Sequence, residues 1–145
     1  MCYTVDMKNE LQTAAFEAAK NMREHAYTPY SGFKVGAALV DSSGTIFAGC
    51  NVENASYGAT ICAERHAVLR AVGDAYDAQF QLLVIVSDAS PPAPPCALCL
   101  QVLAEFCSPE LTVLLADLEG IRAEYTLSQL LPHPFNRKSL IEDAR

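Results

Sequence analysis

From Met7 to Met22 the apolar residues fall at Met7, Leu11, Ala14, Ala15, Ala18 and Met22, the spacing of one buried helical face. A first helix is predicted there. The segment Tyr27-Thr28-Pro29-Tyr30-Ser31-Gly32 reads as a loop, because proline disfavours helix at Thr28 and glycine breaks the periodicity. Val35 to Val40 and Thr45 to Val52 flank the turn-forming run Asp41-Ser42-Ser43-Gly44, which predicts a β-hairpin. Ile61 to Val72 returns to helical spacing through Ile61, Val68, Leu69 and Val72. Leu82 to Val86 is too short and too β-branched for a helix and reads as a buried central strand.

Prolines crowd Ser90 to Pro95, after which Leu100, Leu103, Ala104 and Cys107 mark a third helix over Cys96 to Cys107. Leu111 to Ala116 and Ile121 to Tyr125 are strand-like, and Leu127 to Leu131 forms a short helix stopped by Pro132. This order implies a mixed sheet covered by helices, with a parallel crossover around the third and fourth strands. No repeat or linker interrupts it, so residues 1–145 are expected to form one domain.

The longest apolar run, Leu82 to Val86, is far short of the ~18 residues a membrane span needs, and Met1 to Asn9 lacks the pattern of an export signal. A soluble, cytoplasmic chain is expected. Ten Lys and Arg face 17 Asp and Glu, a net charge of −7, with no basic stripe to neutralise a nucleic-acid backbone. In a reducing compartment, the six cysteines point to metal binding or catalysis ahead of disulfides.

Two predicted helix starts carry cysteine: Cys62 on the second, Cys96 and Cys99 on the third. Helix N-termini lower a thiol pKa and favour the thiolate that a metal requires. Cys96-Ala97-Leu98-Cys99 puts two sulfurs on one side of a turn, and Cys62 can complete a three-thiolate site suited to Zn²⁺, with a fourth position open to water. Glu64, two residues after Cys62, is placed to contact that water as a general base. A redox CxxC is a rival reading, although the upstream Cys-Ala-Glu does not resemble a thioredoxin pattern. A structural Cys₃His zinc closed by His66, four residues after Cys62, is another. Cys50 and Cys107 read as small buried hydrophobes, and Cys2 as an exposed terminal thiol.

The sequence resembles the cytidine deaminase family, specifically its small homotetrameric type. The likeness runs through Tyr30-Ser31-Gly32-Phe33-Lys34-Val35-Gly36-Ala37-Ala38-Leu39, Gly49-Cys50-Asn51-Val52-Glu53-Asn54-Ala55-Ser56-Tyr57-Gly58 and Cys62-Ala63-Glu64-Arg65. It resumes at Pro95-Cys96-Ala97-Leu98-Cys99-Leu100-Gln101-Val102 and at Leu130-Leu131-Pro132-His133-Pro134-Phe135. A CxxC alone is a weak signal; these motifs in order and at family-like spacing are a strong one.

The resemblance implies a three-layer α/β/α cytidine deaminase-like fold with a mixed five-stranded sheet. It also implies one Zn²⁺ on Cys62, Cys96 and Cys99, with Glu64 as proton shuttle in the hydrolytic deamination of cytidine or deoxycytidine, a reaction of pyrimidine salvage. Asn51 and Glu53 resemble the pair that holds the sugar 3′-hydroxyl, and Phe33, Ala55, Tyr57 and Phe135 the other substrate contacts. Read without the resemblance, Phe33 and Tyr57 are equally well core aromatics, and Asn51 and Glu53 a solvated turn. Phe135 is expected to reach a neighbouring subunit of a homotetramer with shared active sites, whose contacts the alanine face Ala63, Ala67 and Ala71 would serve. The same scaffold acting on another aminated nucleoside or base is the alternative.

Two residues depart from the family's Pro-Cys-Gly-x-Cys-Arg-Gln: Ala97 replaces glycine and Leu100 replaces arginine. Three thiolates and one Zn²⁺ leave a net single negative charge, which nearby cations should offset. Arg65 matches a family arginine that bonds the ligand sulfurs. On this reading Leu100 removes a second cation from the site, and Leu100→Arg should partly restore it, provided the new side chain reaches the sulfurs without displacing apolar neighbours on the third helix.

Overall fold

The computed structural model describes residues 3–74 and 79–141. In chain order the elements are α1 (Tyr3–Arg23), β1 (Val35–Asp41), β2 (Ile46–Cys50), a 3-10 turn (Tyr57–Ala59), α2 (Ala63–Asp74), β3 (Phe80–Ser87), α3 (Ala97–Phe106), β4 (Thr112–Ala116), β5 (Ile121–Thr126), α4 (Leu127–Leu130) and α5 (Lys138–Ile141). The 3-10 turn and α5 are additions to the elements that periodicity predicts; both are too short to show a repeat. Cys2 lies outside the described residues.

The five strands form one sheet in the order β2-β1-β3-β4-β5. β1 pairs antiparallel with β2 and β3, β4 runs parallel to β3, and β5 returns antiparallel to β4. α3 makes the crossover between the two parallel strands.

Side chains alternate across the sheet, as strand geometry requires. Ala37, Leu39, Leu83, Ile85, Val113 and Leu115 face one core, which they share with Ala67, Val68, Leu100 and Leu103 of α2 and α3. Ala38, Val40, Leu82, Val84, Val86 and Leu114 face the other, with Ala15 and Ala19 of α1. The result is a three-layer α/β/α arrangement in which β3 is buried on both faces. Ala63, Ala67 and Ala71 are fully buried in the first core. The alanine face therefore packs on the chain's own sheet, contrary to the expectation that it serves subunit contacts.

Gly49 sets how closely α2 approaches that sheet. A Cβ at this position would lie 2.5 Å from the Ala67 nitrogen and 2.6 Å from the Ala63 carbonyl oxygen, distances that no side chain tolerates. The missing methyl lets the helix backbone rest on β2. β2 itself ends at Cys50, two residues before the limit read from the hydrophobic pattern. Asn51 leaves the ladder because its side-chain oxygen accepts from the Val35 nitrogen at 2.8 Å, and Val52 forms only isolated bridges to Tyr27 and Ile61.

Candidate active site

The polypeptide reaches the start of α2 with Cys62 as the residue before the helix, and enters α3 with Cys96 at the N-cap and Cys99 in the first turn. The three sulfurs converge. Sγ of Cys96 lies 3.9 Å from that of Cys62 and 3.5 Å from that of Cys99, and all three are within 4.8 Å of one another. A tetrahedral Zn²⁺ with metal–sulfur bonds of about 2.3 Å separates its sulfurs by about 3.8 Å, so the three donors fit one zinc per chain. Cys99 is buried, Cys62 is half-buried and Cys96 is exposed, which leaves the group accessible from the Cys96 side.

The electrostatics of the thiols suit a dication. Hydrogen bonding from Cys99, together with the Arg65 guanidinium, brings the Cys62 thiol down to about 5 against the opposition of burial. The Cys99 thiol moves up, through its bond to Cys62, burial and the negative charges of Glu64 and Cys62. One proton leaves readily and the next is held by the charge the first left behind. A bound dication removes that opposition.

Glu64 is 6% exposed. Burial pushes its carboxyl up to about 7, assisted by the charge on Cys62 and opposed by hydrogen bonds from its own backbone and Cys99 and by Arg65. A carboxyl that titrates near neutrality can both take and return a proton there. Arg65 follows on the same helix. Its Nη2 donates to the Thr60 carbonyl at 3.1 Å and to Cys62 Sγ at 3.4 Å, and its buried Nε has no hydrogen-bond partner among the described residues.

His66 turns away from the sulfurs. Its Nδ1 sits 3.1 Å from the Cys50 nitrogen and 2.9 Å from the Cys50 oxygen, and among the described residues the candidate metal group consists of the three cysteines alone. The Cys₃His alternative thus lacks its fourth ligand. Leu100 also differs from its sequence reading: it is buried beneath α3, in the core with Leu103, Leu111 and Leu115. Position 100 is a packing position in this chain, so an arginine placed there would displace apolar neighbours of the core. Ala97 is exposed at the first position of α3, where a methyl group meets no obstruction.

The remaining candidates gather on the loop before β1 and the segment after β2. Asn51 Nδ2 donates to the Phe33 carbonyl at 2.8 Å. Glu53 accepts from the backbone nitrogens of Tyr30 at 2.8 Å and Ser31 at 3.2 Å, and from the Ser31 hydroxyl. Tyr57, on the 3-10 turn, meets Tyr30 edge-on with ring centroids 6.0 Å apart. Tyr30, Ser31, Glu53, Asn54, Tyr57 and Thr60 line a cavity of about 360 Å³, and Thr60 connects it to Cys62 through Arg65. Phe33 and Tyr57 are exposed, the opposite of core aromatics, and Ala55 is exposed beside them.

Phe135 is exposed and lines no part of this cavity; its carbonyl accepts from Gln101 Nε2 at 2.6 Å, which ties the C-terminal segment to α3. A larger hollow of about 500 Å³, between the end of α3 and α4, contains Cys107 and mostly apolar walls and does not include the three sulfurs. Ser31 is a contact that the sequence does not single out. Its only signal there is its place in Tyr30-Ser31-Gly32, where a hydroxyl beside a turn glycine can bond across the turn.

Residues 9–115 match the family model for the cytidine and deoxycytidylate deaminase zinc-binding region. The chain is 47% identical to a cytidine deaminase of Sporosarcina psychrophila over 122 residues, covering 84% of this chain and 89% of that one. It is 40% identical to a probable cytidine deaminase of Dictyostelium discoideum over 139 residues, or 95% and 92% of the two. The crystal structure of cytidine deaminase from Burkholderia pseudomallei superposes with a TM-score of 0.79 at 45% identity, covering 85% of this chain and 98% of the other. Three convergent thiolates beside a buried glutamate are what a zinc-binding region requires, and the chain belongs to the cytidine and deoxycytidylate deaminase family.

Proposed function

We propose that this protein hydrolyses cytidine and deoxycytidine to the corresponding uracil nucleosides and ammonia, with one zinc per chain held by Cys62, Cys96 and Cys99. The observation that carries the reading is the placement of Glu64 in the first turn of α2, two residues from Cys62 and buried, with burial pushing its carboxyl up to about 7. Zinc, when bound, supplies the positive charge that makes water nucleophilic at neutral pH. Glu64 takes the proton released as water adds to C4 of the cytosine ring and gives it to N3. It then takes a second proton, from the hydroxyl now on C4, and delivers it to the amino group, so that the C4–N bond breaks, the C4 carbonyl forms and ammonia departs. Arg65 holds the Cys62 sulfur and spreads its charge.

Asn51 and Glu53 hold the sugar 3′-hydroxyl, with Phe33, Ala55 and Tyr57 around the nucleoside. Phe135, exposed on a segment tied to α3, completes the pocket of a neighbouring chain in a homotetramer. Residues 1–145 act as one domain. No helix of the described residues is long and apolar enough to cross a membrane, and the enzyme works on free nucleosides in the cytoplasm.

Ammonia release measured across cytidine, deoxycytidine, free cytosine, N4-modified cytidines and aminopurine nucleosides tests the substrate. Cytidine and deoxycytidine should be turned over fastest and free cytosine poorly, because without the sugar the polar groups of Asn51 and Glu53 lose their partners. Faster release from an aminopurine would replace the assignment with the same-scaffold alternative. Sedimentation of the active protein as a monomer would refute the shared pocket.

A further inference from the structure

Glu53 is the residue proposed to meet the sugar, yet most of its acceptor capacity is already committed within the chain. An ionised carboxylate offers about four lone-pair sites. Three are engaged here, by the Tyr30 nitrogen, the Ser31 nitrogen and the Ser31 hydroxyl. What is left suits one further donor, and the direction in which it points is set by the other three. These bonds also hold the Glu53 carboxyl below its usual range, the Ser31 hydroxyl foremost and then the two backbone nitrogens, against the opposition of burial.

Ser31 is the only one of these partners that reaches further. Its hydroxyl donates to Glu53 and accepts from the Phe33 nitrogen at 3.0 Å. Gly32, between them, has φ 68°, a left-handed conformation that folds Phe33 back over Ser31 and that residues with a side chain rarely adopt. The Gly32 nitrogen donates to the Thr28 carbonyl at 3.0 Å and closes the turn. From the other side, Asn51 Nδ2 holds the Phe33 carbonyl. The backbone of Phe33 is thus fastened at its nitrogen through Ser31 to Glu53, and at its oxygen directly to Asn51.

We infer that Ser31 is a positioning residue for sugar recognition: its hydroxyl aims the remaining acceptor site of Glu53 at the nucleoside 3′-hydroxyl and fixes Phe33 against the same substrate. This rests on the proposed role of Glu53 as a sugar contact. The Ser31 hydroxyl need not touch the nucleoside. Removing it frees Glu53 to rotate about its own side chain, while the two backbone nitrogens keep the carboxylate in the neighbourhood.

The test compares cytidine with 3′-deoxycytidine in the zinc-loaded wild type, Ser31→Ala and Ser31→Thr, with zinc content and circular dichroism confirming that each variant is folded. In the wild type, KM for 3′-deoxycytidine should exceed that for cytidine. In Ser31→Ala, KM for cytidine should rise about 10-fold with kcat within about 2-fold, the signature of lost binding common to ground and transition states. KM for 3′-deoxycytidine should change by less than about 2-fold, because the interaction being misaimed is absent from that substrate. Ser31→Thr, which keeps the hydroxyl, should restore most of the discrimination.

Equal losses on both substrates would mean that Ser31 merely supports the loop, and would overturn the inference. So would an unchanged cytidine KM, or a fall confined to kcat. If the wild type already treats the two substrates alike, the sugar role of Glu53 is itself wrong and the inference falls with it; discrimination in the wild type that survives Ser31→Ala unchanged removes the inference alone.

Discussion

Arg65 Nη2 lies 3.4 Å from Cys62 Sγ while the same nitrogen holds the Thr60 carbonyl at 3.1 Å. One guanidinium thereby fastens a metal-binding sulfur to Thr60, on the segment that lines the cavity beside Tyr30, Glu53 and Tyr57. With position 100 given over to the core, Arg65 is the cation that the described structure places on the sulfurs. Arg65→Ala should lower kcat/KM for cytidine by about 10- to 100-fold, the range for partners that tune a metal ligand. Steady-state kinetics alongside metal analysis checks it, and an unchanged kcat/KM would show that the sulfur charge needs no offset.

Glu64→Gln keeps the size of the buried side chain and removes its ability to carry a proton. Zinc content and folding should persist while ammonia release falls by at least ~100-fold. Single-turnover measurement on the metal-loaded variant separates this from a slowed product step.

Leu100→Arg is expected to destabilise the chain. Leu100 is 9% exposed among Leu103, Leu111 and Leu115, and a guanidinium there would be a charge without a partner. Urea unfolding should show a loss of about 2 to 5 kcal/mol, with no gain in cytidine turnover. A faster enzyme of normal stability would mean that the arginine escapes to the sulfurs after all.

His66→Ala should retain zinc, since the imidazole faces Cys50 and the sulfurs lie elsewhere. Metal analysis after extended dialysis gives the answer; a metal-free product would return His66 to the ligand set.

Asp41 closes the β1–β2 turn. Its Oδ1 accepts from the Ser43 hydroxyl at 2.6 Å and from the Ser43 and Thr45 nitrogens, each at 2.9 Å. The Ser43 hydroxyl, followed by the backbone bonds and opposed by burial, keeps the carboxyl below its ordinary 3.8. A native pKa below the unfolded one means stability that is fully present above the unfolded value and is lost as pH falls through the native one. The stability difference between wild type and Asp41→Asn should therefore be constant above about pH 5 and shrink below about pH 4. Urea titrations across that interval measure it, and a difference independent of pH would remove the carboxylate from acid unfolding.

Much of the fold was legible in the sequence because β1, β3 and β4 are buried nearly throughout and read as apolar runs. Leu82 to Val86 declares itself as a central strand by its uniform apolarity, and the cysteines point to a metal by falling at two predicted helix starts within a run of family-like motifs. Leu100 and the alanine face lie where a linear pattern falls short of the packing. A one-dimensional pattern shows that a side chain sits near a motif, but the helix phase decides whether it points toward the sulfurs or into the core. Ser31 escaped notice because its importance lies in two hydrogen bonds across a turn, and those depend on the left-handed backbone at Gly32, which no residue pattern displays directly.

The contact of α2 with Gly49 separates what this scaffold can vary from what it cannot. Cys62 and Glu64 sit at the start of a helix whose backbone rests on β2 with no room for even a methyl group, so their positions move only if the sheet moves. Ala55, Tyr57 and Leu98 are exposed and hold up nothing in the core. Substitutions in the exposed set, whether reached by evolution or by library selection, thus cost little in folding, while the start of α2 that carries Cys62 and Glu64 has no freedom to shift on its own.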